Sequence, residues 1–140
     1  MRHSVFTGLP SQCLDYNILK EATRNHKYRD VINISDNIDP GCKPHEQWKG
    51  PGWYRIMEPA GTKIPEFPPA PGCGTTYAGW MNGNHPDKKG ESVEREICFH
   101  YAGNICSFKT TITVTNCKEY YVYNLLTHVN NYCTSRHCAE

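Results

Sequence analysis

Eight cysteines and seven histidines in 140 residues are the side chains with the most chemistry to offer. Three uses compete for them: a metal site, a thiolate nucleophile, or a set of disulfides. A structural zinc site is built from close pairs, Cys-x2–4-Cys or His-x3–5-His. Cys133 and Cys138 are one such pair, with His137 beside the second, but no other close cysteine pair exists. Cys98 and Cys106 are too far apart for a zinc knuckle, so no metal is expected. A catalytic thiolate must be free and activated. Neither a Gly-x-Ser-x-Gly elbow nor a His-Glu-x-x-His pair occurs. The chain therefore does not read as an enzyme, and no cofactor is expected. An even number of cysteines spread from position 13 to position 138 suits four disulfides in an oxidising, extracellular setting.

The aromatic residues offer a second kind of chemistry. Trp53, Trp80, Tyr120, Tyr121 and Tyr123 could stack against carbohydrate, or stand in for aliphatic residues the chain lacks. Leu, Ile, Val and Phe number 24 of 140 residues, about 17% and below the level usual for ordered chains. A large ring removes about 150–250 Å² from water, so Trp53 and Trp80 are assigned to the core. Tyr121 and Tyr123, with His85 and Lys88 from an exposed loop over residues 85–91, are the candidate binding residues. Histidine is the residue type suited to sensing pH, which makes His85, His100 and His128 candidate sensors, although a solvated histidine is the ordinary use. One standard N-glycan acceptor is present, Asn33-Ile34-Ser35. The Cys-type acceptors at Asn104 and Asn131 each need a cysteine expected to be bridged.

Several elements must hold these groups in place. The net charge of +1 supplies no basic field for nucleic acid, and no apolar run is long enough to span a membrane. Residues 1–12 read as an irregular lead-in, and Met1 to Pro10 lacks the apolar centre of a signal peptide. With oxidised cysteines expected, the chain reads as a segment of a longer secreted or cell-surface protein. Leu14, Ile18, Leu19 and Ala22 fall at helical spacing, with Asp15 at the start and Arg24 at the end, which predicts one short helix over 14–24. A turn is expected at Asp39-Pro40-Gly41, and a brief strand at Val31, Ile32 and Ile34. Strands are expected over 53–57, 75–81 and 120–125. Four prolines between Ile64 and Pro71 confine that stretch to a sheet edge. Val93, Arg95, Ile97 and Phe99 alternate with Glu94, Glu96 and Cys98. Phe108, Ile112 and Val114 alternate with Lys109, Thr111, Thr113 and Thr115. This period of two marks a pair of strands with one wet face, joined by a hairpin at Ala102-Gly103-Asn104. Cys98 and Cys106 straddle that turn and are placed to bridge it. The fold expected is disulfide-rich α+β, mainly antiparallel β with one short N-terminal helix and long loops.

Residues 52–67 (GWYRIMEPAGTKIPEF), 73–86 (CGTTYAGWMNGNHP), 93–99 (VEREICF), 117–125 (CKEYYVYNL) and the closing Cys133-x4-Cys138 resemble the eight-cysteine domain of the uromodulin and zymogen-granule glycoprotein family. The resemblance runs from Cys13 to Cys138 and makes 13–138 a single domain. It implies the pairs Cys13–Cys117, Cys42–Cys133, Cys73–Cys138 and Cys98–Cys106. Uromodulin's additional cysteine pair falls near Phe67 and at Ile105, and both are missing here. The resemblance also implies a non-enzymatic extracellular recognition or adhesion module with protein or carbohydrate ligands, flanked by other extracellular domains. A stand-alone secreted binding or inhibitory protein of innate defence is the alternative. Relatives of this kind display a high-mannose glycan to bacterial fimbriae in a Trp-x-Asn-Gly-Thr turn. Here Asn84 replaces the threonine, so Asn82 is expected to be bare.

Overall fold

The computed structural model describes residues 8–37, 42, 47–69, 72–126 and 133–140. Among these described residues, seven strands form one sheet: β1 Asn17–Leu19, β2 Gly52–Ile56, β3 Tyr77–Asn82, β4 Ser92–Tyr101, β5 Asn104–Asn116, β6 Tyr121–Leu125 and β7 Ser135–His137. Their order is β1-β2-β6-β5-β4-β3-β7. The four inner pairings are antiparallel, while the three-residue edge strands β1 and β7 pair in parallel with β2 and β3. The sheet is therefore mixed.

The expected N-terminal helix does not form. Two 3-10 turns, Ser11–Cys13 and Ala22–Arg24, flank β1 instead. An isolated helix of that length is marginal in water, and here it would have to keep its apolar stripe buried. Leu14 and Ile18 remain 55% and 42% exposed, and only Leu19 enters the core. Asn17, Ile18 and Leu19 pair with Tyr54, Arg55 and Ile56, so their backbone groups are satisfied by the sheet edge. The strand expected at Val31–Ile34 is also absent, and Val31 and Ile32 lie exposed. The turn expected at 39–41 lies outside the described residues, as does His128.

The inner strands follow the alternation in the sequence. Val93 pairs with Val114, Arg95 with Ile112 and Phe99 with Phe108, and the hairpin turns at Ala102 and Gly103, with φ of 48° and 83°. Two consecutive positive φ values match the twist that a two-residue hairpin needs. Leu19, Tyr54, Ile56, Met81, Ile97, Phe99, Ile112, Val114, Tyr123 and Leu125 form the main core, with the Trp48 ring stacked on Tyr54 at 4.7 Å. The opposite face is covered as well. Leu9, Val122 and the Cys13–Cys117 bridge cluster there, with Tyr16, Trp53 and Tyr120 against them. Trp80 is buried, and its Nε1 donates to the Ile105 carbonyl at 2.7 Å. At Gly79 a Cβ would lie 2.9 Å from the Arg136 carbonyl oxygen, and this close approach lets β7 dock.

Candidate functional site

The β2–β6 ladder ends at Tyr54↔Tyr123, although β2 continues to Ile56 and β6 begins at Tyr121. Beyond that pair the strands part around a cleft of about 500 Å³. Arg55, Glu58, Lys63, Lys118 and Glu119 line it, with Met57, Tyr120 and Tyr121. Because Tyr54 and Ile56 point into the core, Arg55 emerges on the opposite face. Its guanidinium lies 3.8 Å from the centre of the Tyr120 ring, and Nη1 donates to the Tyr16 hydroxyl at 2.9 Å. Tyr120 is itself tied down, since its hydroxyl donates to the Cys13 carbonyl. Burial pushes the Tyr120 phenol above its ordinary range. The Arg55 Nε is buried without a partner among the described residues. The result is a fixed arginine on an aromatic platform, lining the cleft with Lys63 and Lys118. Such a site suits carboxylates and hydroxyl-rich rings.

The structure brings three of the four candidate binding residues together, but buries two of them. Tyr123 is fully buried, and its hydroxyl accepts from the Ile64 N–H at 3.0 Å and lies 2.7 Å from His85 Nε2. His85 Nδ1 faces Glu66 Oε2, which also accepts the His85 backbone N–H at 2.7 Å. Every proton in this chain finds an acceptor when His85 is neutral: Ile64 to Tyr123, Tyr123 to Nε2, and Nδ1 to Glu66. A proton on Nε2 would leave the Tyr123 hydroxyl without its acceptor. Burial lowers the His85 pKa, and the Glu66 carboxylate only partly offsets this. For Glu66, burial works upward, but the hydrogen bonds from His85 win and lower it. Burial also pushes the Tyr123 phenol far up. His85 and Tyr123 are thus a structural strut behind the cleft. Tyr121, with its ring 4.4 Å from that of His85, is the member that reaches the cleft wall. Lys88 stands apart on an exposed loop and is not among the cleft residues.

A second polar cluster escapes sequence reasoning. Arg24 is fully buried and donates to both oxygens of Glu21, both oxygens of Asp36 and the His137 carbonyl. Asp36 also accepts from the His137 backbone N–H and Nδ1, each at 2.8 Å. Arg136 reaches Glu21 at 3.2 Å, Thr23 and the Cys73 carbonyl. Burial alone would raise the Asp36 pKa, but the Arg24 charge and the His137 hydrogen bond hold it well below the carboxylate range. Glu21 is lowered for the same reason, with burial again opposed by Arg24. Burial and the neighbouring Arg24 charge lower Arg136 to about 10. Arg24, read from the sequence as a helix-end cation, is the centre of this network.

The disulfides join Cys13 to Cys117, Cys42 to Cys133, Cys73 to Cys138, and Cys98 to Cys106. Asn33 is exposed, with its Oδ1 accepting from the Thr76 hydroxyl at 3.1 Å. Asn82 is exposed at the end of β3.

Residues 54–139 match the model of the uromodulin-like eight-cysteine domain. The chain belongs to the uromodulin-like family. Among its relatives is the pancreatic secretory granule membrane major glycoprotein GP2 of Canis lupus familiaris, 30% identical over 141 residues, which covers 99% of this chain and 25% of the relative. The Homo sapiens protein of that name is 29% identical over 129 residues, covering 91% of this chain and 22% of the relative. The chain thus spans about a quarter of the length of these relatives. The family and the four disulfides place this uromodulin-like domain in the secreted or cell-surface compartment.

Proposed function

We propose that the domain is a non-enzymatic recognition module of a larger secreted or cell-surface glycoprotein, and that the cleft between β2 and β6 takes an acidic saccharide. The observation that carries the reading is the Arg55 side chain, held by Tyr16 and Tyr120 in the wall of the cleft beside Tyr121. A carboxylate against Arg55 and a sugar ring against Tyr121 would use those groups without rearranging them, so little ordering cost opposes binding. Lys63 and Lys118 add attraction for an anion. A module within a larger protein is favoured over a stand-alone one because the matching region is about a quarter of the GP2 relatives.

The test is NMR titration of the oxidised domain with a sialylated oligosaccharide and its neutral counterpart. The acidic sugar alone should shift the Arg55, Tyr120 and Tyr121 resonances. A Lys63→Glu/Lys118→Glu variant with native disulfides should bind at least tenfold more weakly. Equal response to both sugars, or none to the acidic one, overturns the assignment.

A further inference from the structure

A second cleft, of about 420 Å³, lies between the tip of the β4–β5 hairpin and the segment that carries Asn33. Val31, Thr76, Tyr101 and the turn residues Ala102 and Gly103 line it. Val31 is 53% and Tyr101 45% exposed, so both present apolar surface at one hollow. The Tyr101 ring is held in place by the Tyr77 ring, with 4.7 Å between centres. Asn33 stands at the edge of this cleft, because its Oδ1 accepts from Thr76, which itself lines it. The backbone there has φ of 54°, a left-handed conformation that asparagine tolerates. Anchoring through Oδ1 leaves Nδ2, the atom a glycan is attached to, outside that hydrogen bond.

Ser35, two residues on, is an independent pointer. Its side chain is fully buried and its hydroxyl has no hydrogen-bond partner among the described residues. An unpaired buried hydroxyl destabilises the folded state, and alanine would fill the same space without that penalty. The role that the sequence offers this hydroxyl is that of third residue in the Asn-x-Ser acceptor.

We propose that Asn33 carries an N-linked glycan whose innermost N-acetylhexosamine lies in this cleft across the Tyr101 ring. In the transfer, Asn33 Nδ2 bonds to the anomeric carbon of a glycan activated as a lipid-linked diphosphate. The bond from that carbon to the diphosphate breaks, and the diphosphate leaves with the electron pair. Nδ2 gives up one proton to a base, and nothing is oxidised or reduced. The apolar face of the sugar then covers Tyr101, and its acetyl methyl covers Val31, removing both from water. This site shares no lining residue with the β2–β6 cleft, so the two proposals stand or fall separately.

The test uses the whole chain secreted from animal cells. A peptide map reads occupancy at Asn33, and an endoglycosidase then trims the glycan to one sugar. Nuclear Overhauser contacts are expected between the acetyl methyl and the Tyr101 ring. Both those contacts and the shielding of Tyr101 from a soluble paramagnetic probe should vanish in fully deglycosylated protein. A Ser35→Ala variant should be secreted folded, bare at Asn33, and no less resistant to urea than the stripped protein. A bare Asn33 in the parent chain, a sugar without contact to Tyr101, or a Ser35→Ala chain that fails to fold overturns the proposal.

Discussion

Replacing Arg24 by methionine tests the account of the buried charge network most directly. The substitution keeps much of the side-chain volume but removes all five hydrogen bonds from the guanidinium. Glu21 retains Arg136, and Asp36 retains His137. Two carboxylates then share a single strong cation, Arg136. Breaking a buried pair by removing one partner costs about 3–5 kcal/mol, a large part of the 5–15 kcal/mol typical of a whole domain. The dependence on pH should change as well. In the parent, both carboxylates have pKa values below 3.8 and 4.5, the ordinary values for Asp36 and Glu21. Depressed folded-state values mean that their stabilisation is present above about pH 4.5 and is lost as the pH falls further. Without Arg24, burial dominates and raises both values, so acid should relieve the variant. The measurement is urea unfolding with disulfides intact, between pH 7 and pH 4.5, followed by tryptophan fluorescence. Trp48 lies on Tyr54 and 6.1 Å from the His137 ring, which makes it a local reporter. The gap between parent and variant should be about 3–5 kcal/mol at pH 7 and narrow toward pH 4.5. Adding Asp36→Leu to the variant should recover about 1–3 kcal/mol, because these residues are coupled. A loss under about 1 kcal/mol, or a gap independent of pH, refutes the reasoning.

His85 should make the domain acid-sensitive at a higher pH. Its folded pKa is lowered below the ordinary 6.5, so the unfolded chain takes up a proton first and stability declines as the pH drops below about 6.5; in a His85→Gln variant that slope should be gone from urea midpoints taken between pH 7 and pH 5. The disulfides should differ in weight by the loops they close. Removing Cys98–Cys106, at a separation of 8 residues, should cost about 2.5 kcal/mol, and removing Cys13–Cys117, at 104 residues, about 4.7 kcal/mol; paired Cys→Ser variants compared by urea unfolding that reverse this order contradict the chain-entropy account.

What the sequence determined by itself was local or covalent. Alternation over Val93–Phe99 and Phe108–Val114 was enough to place β4 and β5, because a strand with one buried face must repeat every second residue. Positive φ at Ala102 and Gly103 realises a turn already legible between those strands. The family was legible too, in the spacing of its cysteines, glycines and aromatic residues. The tertiary structure decided everything that depends on distant partners. Helical spacing over Leu14–Arg24 yielded to a strand because the edge of β2 offered hydrogen bonds that no local pattern reveals. Arg24 gives no sign in its own neighbourhood of meeting Asp36 and His137, and Glu21 meets Arg136 across 115 positions. Tyr121 and Tyr123 look alike in the chain, yet one lines a cleft and the other is sealed by Ile64 and His85. Periodicity is a property of neighbours along the chain, whereas burial of a charge or an opening between two strands arises only where separate segments meet.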